Sequence, residues 1–189
     1  GEVDRLAYVW QGAVAAGGCR LDAGSSLIVE HGRSLDLSGL ADSSRVLTFA
    51  AARPLAEPDT PGAWYRGRRL VSLDGTTIDL PDTPDLEARF GRPGASRGAS
   101  GFPQLRLLTL TETGTHAIFA IAFDRYQASE VELAPELLRR LEPGMLCLAD
   151  RAFVGFTLWQ KTTATGANLL WRVRKNQILP CCELLPDGS

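Results

Sequence analysis

The alternation of apolar and polar residues becomes orderly from Trp64 onward and predicts five strands. Two of them flank the turn-like residues 112–115 (ETGT) and have the signature of a hairpin. Another is an uninterrupted apolar run of the kind found in a strand buried on both faces, in the centre of a sheet. The predicted strands are Arg69–Leu73, Leu105–Thr111, His116–Phe123, Met145–Ala149 and Leu169–Val173.

Two helices are predicted among these strands. Ser129 and Glu132 have the spacing of a capping box, and apolar residues at 131, 134, 138 and 141 then fall on one helix face. Pro135 favours a helix that starts only at that residue. The second helix is Phe156–Thr165, closed by Gly166. Strands first, and then alternating helices and strands, indicate an α/β fold with a mixed sheet and helices on its faces.

The remaining segments carry weaker signals. Residues 1–53 show no lasting hydrophobic period, so no structure is predicted there. Residues 54–63 contain three prolines and are interpreted as a linker. Pro81 and Pro84 are expected to break the chain after the first strand, and residues 91–101 form a loop rich in Gly and Arg without the Gly-Lys-Ser/Thr of a nucleotide-binding loop.

Composition narrows the class of protein. With 44% hydrophobic and 22% charged residues the chain has a globular composition, and it shows neither a membrane-spanning run nor a signal peptide. The four cysteines have no C-x-x-C spacing and lie far from His31 and His116, which argues against zinc. Cys147 is predicted to be a buried free thiol, and we expect a reducing, cytoplasmic setting.

Two predicted strands are followed by an aspartate, Asp74 and Asp150. Each carboxylate could cap the turn that follows, or the two could share a cation. Oxygen ligands alone favour Mg²⁺ or Mn²⁺, and a pair of such ions can drive phosphoryl transfer, normally with a third carboxylate. Asp79 and Asp82, which follow Asp74 closely, are interpreted as turn formers or, alternatively, as ligands of the cation. Glu130 could be the third acid, but a helix start also favours a negative charge.

Five stretches together carry a family resemblance: 64–77 (WYRGRRLVSLDGTT), 80–83 (LPDT), 102–104 (FPQ), 148–153 (LADRAF) and 166–173 (GANLLWRV). They resemble the DDE transposases of bacterial insertion sequences, of the insertion-sequence-four type with a Tyr-Arg-Glu-Lys signature. The resemblance implies a ribonuclease-H-like sheet, cut-and-paste transposition with Mg²⁺ or Mn²⁺, and DNA (transposon ends and target) as partner. It matches Asp74 to the first catalytic aspartate and Asp150 to the second. It also implies a homodimer of the intact protein, in the bacterial cytoplasm with the nucleoid.

In that family the third acid, a Glu, follows a β-rich insertion after the last core strand. The sequence contains no Tyr-x-x-Arg-x-x-x-Glu pattern. We therefore expect residues 64–176 to be a partial catalytic core, incomplete at its C-terminus, and residues 177–189 to begin the insertion. Residues 1–53 would then be a non-native or frameshifted segment. On this interpretation the 189 residues alone are inactive, and the alternative is a decayed, non-catalytic remnant that at most binds DNA nonspecifically.

Basic side chains, 18 Arg and 2 Lys, supply candidate phosphate contacts. Each could equally lie on a solvated surface. The two tryptophans near the C-terminus, Trp159 and Trp171, occupy apolar positions and are expected in the core rather than as platforms for bases. The candidate DNA-binding residues are Arg66, Arg68, Arg69, Arg92, Arg97, Arg151, Arg172, Arg174 and Lys175.

Overall fold

The structure is a computed structural model that describes residues 3–16, 19–23, 25–29, 36–40, 44–52, 55–95, 98–99 and 101–178. Within these ranges no helix is long and apolar enough to cross a membrane. Six strands precede the predicted linker: β1 (Val3–Gln11), β2 (Ala13–Ala16), β3 (Cys19–Asp22), β4 (Ser26–Val29), β5 (Leu37–Gly39) and β6 (Arg45–Ala52). Eight more strands and three helices follow.

The later part of the chain forms a six-stranded mixed sheet. Its strand order is β12-β11-β8-β13-β14, with β7 paired to β8. Strands β13 and β14 run parallel to β8, whereas β11 and β12 run antiparallel. The α/β prediction with a mixed sheet is confirmed. The elements are β7 (Trp64–Tyr65), β8 (Arg68–Asp79), α1 (Pro84–Phe90), β9 (Gly94–Ala95), β10 (Gly98–Ala99), β11 (Gln104–Glu112), β12 (Ile118–Arg125), α2 (Glu130–Leu138), β13 (Met145–Ala149), α3 (Phe156–Thr163) and β14 (Asn168–Trp171).

Strand β8 is longer than predicted, because it continues through Asp74 to Asp79. Its second half pairs with β11 alone, from Asp74 opposite Thr109 to Asp79 opposite Gln104. The β-branched residues 76–78 suit an extended strand, and this cross-strand pairing outweighs the turn signal of the nearby prolines. Asp74 therefore lies in the middle of a strand, and the interpretation of Asp79 as a turn former is wrong.

Helix α1 lies where Pro81 and Pro84 predict a break in the chain. Pro84 occupies the first turn, where a missing N–H costs nothing, and Thr83 caps the helix by accepting a hydrogen bond from the Leu86 N–H. Leu86 and Phe90 then lie fully buried on its inner face. A proline directly after a threonine can thus start a helix as readily as end a strand.

Helix α2 confirms the capping box and corrects the position of its first residue. The Ser129 and Glu132 side chains each bond the other's backbone N–H, and the helix begins at Glu130 with Pro135 inside it. Because the capping box satisfies the first-turn donors, the helix forms despite the hydrogen bond lost at Pro135.

The main core lies between the sheet and helices α2 and α3. It contains Val71 and Leu73 of β8 together with Cys147 of β13. Cys147 is a free, buried cysteine, as predicted, and burial raises the pKa of its thiol to about 11. Trp171 is buried as expected, but Trp159 is 41% exposed and makes an edge-to-face contact with Trp171, at 5.2 Å between ring centroids. The expectation that Trp159 is a core residue is wrong.

The first 52 residues contain strands that no local pattern predicted. They form two three-stranded antiparallel sheets, β4-β1-β6 and β3-β2-β5. Tyr8 of β1 packs against Phe90 and Phe123, in a second apolar cluster on the sheet face that carries α1. The side chain of Arg89 donates a hydrogen bond to the Tyr8 hydroxyl. This segment is therefore joined to the main sheet by packing as well as by the chain.

Candidate active site

A cleft of about 510 Å³ opens where the parallel strands β8, β13 and β14 place three polar side chains at one level. Ala149 lies opposite Leu73 on one side and opposite Trp171 on the other. The residues that follow are therefore neighbours across the three strands, since parallel strands advance in step. The cleft is lined by Ser72, Leu73, Asp74, Leu148, Ala149, Asp150, Leu170, Trp171 and Arg172.

Asp74 faces away from the main core. Leu73 is buried against the helices, and because side chains alternate along a strand, Asp74 lies on the opposite face of the sheet, where it is exposed. Its carboxylate accepts a hydrogen bond of 2.9 Å from the Gly75 N–H, and the Thr109 hydroxyl donates to its backbone carbonyl at 3.3 Å. These contacts leave most of the carboxylate available to a ligand.

Asp150 ends β13 and begins a short 3₁₀ turn, Arg151–Phe153. Its carboxylate accepts a hydrogen bond from the Arg151 N–H, and the buried Phe153 side chain anchors the turn in the core. Asp150 therefore caps this turn, as one of the two sequence alternatives predicts, and it also lines the cleft with Asp74. Among the described residues no Arg or Lys forms an ion pair with Asp74 or Asp150.

Arg172 is the basic residue that lines the cleft together with both aspartates. Its backbone N–H donates to the Ala149 carbonyl at 2.9 Å, which extends the pairing of β14 with β13 and places the exposed side chain at the cleft. Arg151 follows Asp150 directly, and Arg174 and Lys175 follow β14; all three are exposed. Four candidate phosphate contacts therefore gather at the end of the sheet that holds the aspartates.

Other candidates lie elsewhere or are already bonded. Arg66 and Arg68 lie at the opposite end of β8, where the Arg68 side chain bonds that of Asn168. Arg69 forms an ion pair with Glu112. These positions give no support to a contact with DNA at the cleft.

Arg92 lies in the connection after α1 and is 15% exposed, with Asp82 at 2.6 Å and Glu87 at 2.9 Å. The hydrogen bonds that Arg92 donates to the Glu87 and Asp82 carboxylates raise its pKa above the ordinary value. The carboxylates of Asp82 and Glu87 would therefore compete with a DNA phosphate for the Arg92 guanidinium. Neither Asp82 nor Asp79 lines the cleft, and Arg97 lies outside the described residues.

The donor set suits a hard, hydrated cation. In the part of the chain that the structure describes, no group of three or more Asp, Glu, His or Cys side chains could hold a metal ion, so Glu130 does not complete a three-carboxylate site. Two carboxylates at one cleft are nevertheless what Mg²⁺ commonly takes from a protein, with water and substrate phosphates as the other ligands. The residues therefore fit Mg²⁺ or Mn²⁺ rather than zinc.

Sequence reasoning missed Glu112, a carboxylate with no exposed surface. It ends β11 and accepts hydrogen bonds from the Ala56 N–H at 2.8 Å and the Leu55 N–H at 3.0 Å, besides its ion pair with Arg69. The signal was present, because Glu112 continues the alternation of the buried Leu108 and Leu110. A charged residue on the buried face of a strand indicates a paired, internal carboxylate.

This environment predicts an acid-sensitive contribution to stability. Burial alone would raise the pKa of Glu112, but the hydrogen bonds from Thr115, Arg69 and the Leu55 N–H outweigh it and lower the pKa below 4.5. A depressed folded-state pKa gives stability that is complete above the unfolded-state value and is lost as pH falls through the folded value. Urea unfolding between pH 7 and pH 3 should show a steeper acid loss for the wild type than for Glu112→Gln, and parallel curves would contradict the assignment.

Comparison with known proteins shows the family of this chain. The family model described as "Transposase DDE domain" matches residues 65–180, well over half of the chain. The chain belongs to the DDE transposase domain family. The predicted resemblance to DDE transposases is thereby confirmed.

The DDE transposase domain is also similar to two curated proteins of Escherichia coli strain K12. Over 125 residues it is 28% identical to the transposase InsG of insertion sequence element IS4. This aligned region is 66% of the chain and 28% of InsG. Over 108 residues it is 27% identical to InsZ, provisionally named a transposase. This aligned region is 57% of the chain and 36% of InsZ. The chain thus spans about a third of the length of these relatives. No solved structure matches it.

Proposed function

We propose that this chain carries the catalytic core of a cut-and-paste DNA transposase and holds Mg²⁺ or Mn²⁺ through Asp74 and Asp150. One observation carries the proposal: two carboxylates without a basic partner among the described residues line one cleft at matching positions of adjacent parallel strands. Charges brought together in this way repel each other unless a cation joins them.

The chain's own groups suit phosphoryl transfer at a phosphodiester. Asp74 and Asp150 hold exposed carboxylates at the cleft. Arg172 presents a guanidinium that can bind a phosphate oxygen beside them. Arg151, Arg174 and Lys175 extend this positive margin and would position the DNA backbone without reading its sequence. A bound divalent ion would supply an activated water or hydroxyl and stabilise the leaving oxygen. In the intact protein, expected to be a homodimer, cleavage at the transposon end and transfer to target DNA would use this one site.

Two carboxylates make an incomplete ligand set for that chemistry. The third acid that the family resemblance implies has no counterpart at the cleft among the described residues. We therefore propose that the 189 residues bind a cation and DNA without cutting DNA. The alternative is a decayed remnant that binds DNA nonspecifically at most. Cation binding that depends on Asp74 and Asp150 separates these two possibilities.

Replacing Asp74 or Asp150 with asparagine is expected to weaken Mn²⁺ binding to the 189-residue chain by at least about tenfold, because each change removes an anionic ligand. Mn²⁺ titration followed by electron paramagnetic resonance measures this affinity directly. Asp59→Asn, which removes an exposed carboxylate outside the cleft, is the matched control and should leave Mn²⁺ binding unchanged. If all three variants bind Mn²⁺ as the wild type does, the metal site is not at this cleft.

A further inference from the structure

Gly75, the residue after Asp74, leaves a space that the Glu130 side chain fills. A Cβ at Gly75 would lie 2.3 Å from both the Cδ and Oε1 atoms of Glu130 and 2.7 Å from its Cγ atom. Glu130 is the first residue of α2, and it reaches β8 on the face opposite the Asp74 side chain. The Glu130 carboxylate thus packs directly against the backbone that carries Asp74.

The partner of Glu130 is Arg106 of β11. Its Nη1 atom lies 3.5 Å from Glu130 Oε1, with about a quarter of each side chain exposed. The Arg106 guanidinium also lies 5.6 Å from the Tyr126 ring centroid, and its buried Nε atom has no hydrogen-bond partner among the described residues. About three quarters of the Arg106 side chain is buried, and Glu130 is the carboxylate that lies within ion-pair distance of its guanidinium.

This balanced pair lies close to the proposed cation ligands. The Asp74 carboxylate is 2.9 Å from the Gly75 N atom, and the Glu130 carboxyl carbon lies 2.3 Å from the position that a Gly75 Cβ would occupy. Standard bond lengths then place the Glu130 carboxyl carbon within about 8 Å of the Asp74 carboxylate. That distance does not exceed the Debye length of about 8 Å at physiological salt, and partly buried charges are screened less than exposed ones.

We propose that the Arg106–Glu130 pair sets the electrostatic potential of the Asp74–Asp150 site from behind the sheet, with Glu130 preventing Arg106 from repelling the cation. The proposal rests on the proposed cation site. Glu130 is a positioning residue, since it acts through Arg106 and the β8 backbone and does not touch the ion. The pair also gives a reason for glycine after Asp74, because any side chain there would displace Glu130.

The two halves of the pair should then shift cation affinity in opposite directions. Glu130→Gln leaves Arg106 unbalanced and is expected to weaken Mn²⁺ binding by roughly 3- to 10-fold. Arg106→Met keeps an apolar stem over Tyr126, leaves Glu130 unbalanced and is expected to tighten Mn²⁺ binding by a similar factor. The double variant should return close to the wild-type affinity. A purely structural role would lower stability in both single variants and give no opposed shifts.

Mn²⁺ titration by electron paramagnetic resonance, on full-length 189-residue variants shown to be folded by circular dichroism, tests the pair. Glu136→Gln, which removes an exposed carboxylate on the same helix, is the control and should bind as the wild type does. Single variants that both weaken binding, or both leave it unchanged, would overturn the proposal. If instead the wild type binds Mn²⁺ independently of Asp74 and Asp150, the proposed site itself fails. Should Arg106→Met not fold, Arg106→Gln provides the same change of charge.

Discussion

Replacing Glu112 with alanine is expected to lower the free energy of unfolding by about 3–5 kcal/mol, as found when one partner of a buried ion pair is removed. The change would leave the Arg69 guanidinium, only 22% exposed, without its carboxylate. It would also leave the N–H groups of Leu55 and Ala56 without their acceptor. Urea unfolding at pH 7, followed by far-UV circular dichroism, measures the loss.

The matched control for this variant is Glu136→Ala. Glu136 is 51% exposed and its nearest partner, Arg139, lies 3.6 Å away on the same helix. Surface pairs of this kind contribute little, so the change should be within about 0.5 kcal/mol. A Glu112→Ala variant as stable as Glu136→Ala would show that the Glu112 carboxylate is not the buried anchor that the structure indicates.

Glu112 also changes the interpretation of the predicted linker. Glu112 binds the N–H groups of Leu55 and Ala56 in this segment. The neighbouring Thr113 hydroxyl donates a hydrogen bond to the Gly62 carbonyl at 2.8 Å. A Cβ at Gly114 would lie 2.5 Å from the Ala63 Cβ, so the hairpin loop packs closely on this segment. Residues 55–63 are therefore held against the start of β8, the strand that carries Asp74. Rigid attachment there fixes one end of the strand on which the candidate site is built.

Predictions that rested on local signals agree best with the structure. Met145–Ala149 has the predicted bounds because its apolar run ends sharply at a charged residue. The capping box at Ser129 and Glu132 needs only four residues, so sequence alone identifies it. The hairpin of β11 and β12 follows from two alternating runs around a short turn.

Features that depend on distant partners could not be predicted from the sequence. The second half of β8 is a strand because β11 pairs with it, and β1 lies between β4 and β6, which are far apart in the chain. The prolines around α1 fit a loop and a helix start equally well until the burial of Leu86 and Phe90 decides. Tertiary packing overrides local preference in each case.

The candidate site also combines features that local sequence predicts with features that depend on distant partners. Asp74 and Asp150 could be singled out as carboxylates after apolar runs, but their common level on the sheet follows only from the register of β8 and β13. The basic residues looked equivalent in the sequence. Folding gathers Arg151, Arg172, Arg174 and Lys175 at the end of the sheet that holds the cleft. It pairs Arg69 with the buried Glu112, and Arg92 with the exposed carboxylates of Asp82 and Glu87. Electrostatic partners come from contacts that no spacing along the chain records.

Replacing Phe90 with alanine is expected to cost about 3–5 kcal/mol of unfolding free energy, since its fully buried ring fills the cluster that joins the first strands to the main sheet. The Phe90 ring centroid lies 5.8 Å from that of Tyr8 and 6.4 Å from that of Phe123. Phe156→Ala removes a ring that is 81% exposed and should change stability by less than about 0.5 kcal/mol. In urea unfolding, the Phe90 variant should unfold in one transition with a lower midpoint than the wild type, because β1 and the main sheet lose their shared packing together. Equal midpoints for the two variants would mean that residues 3–52 do not depend on the main sheet as this packing implies.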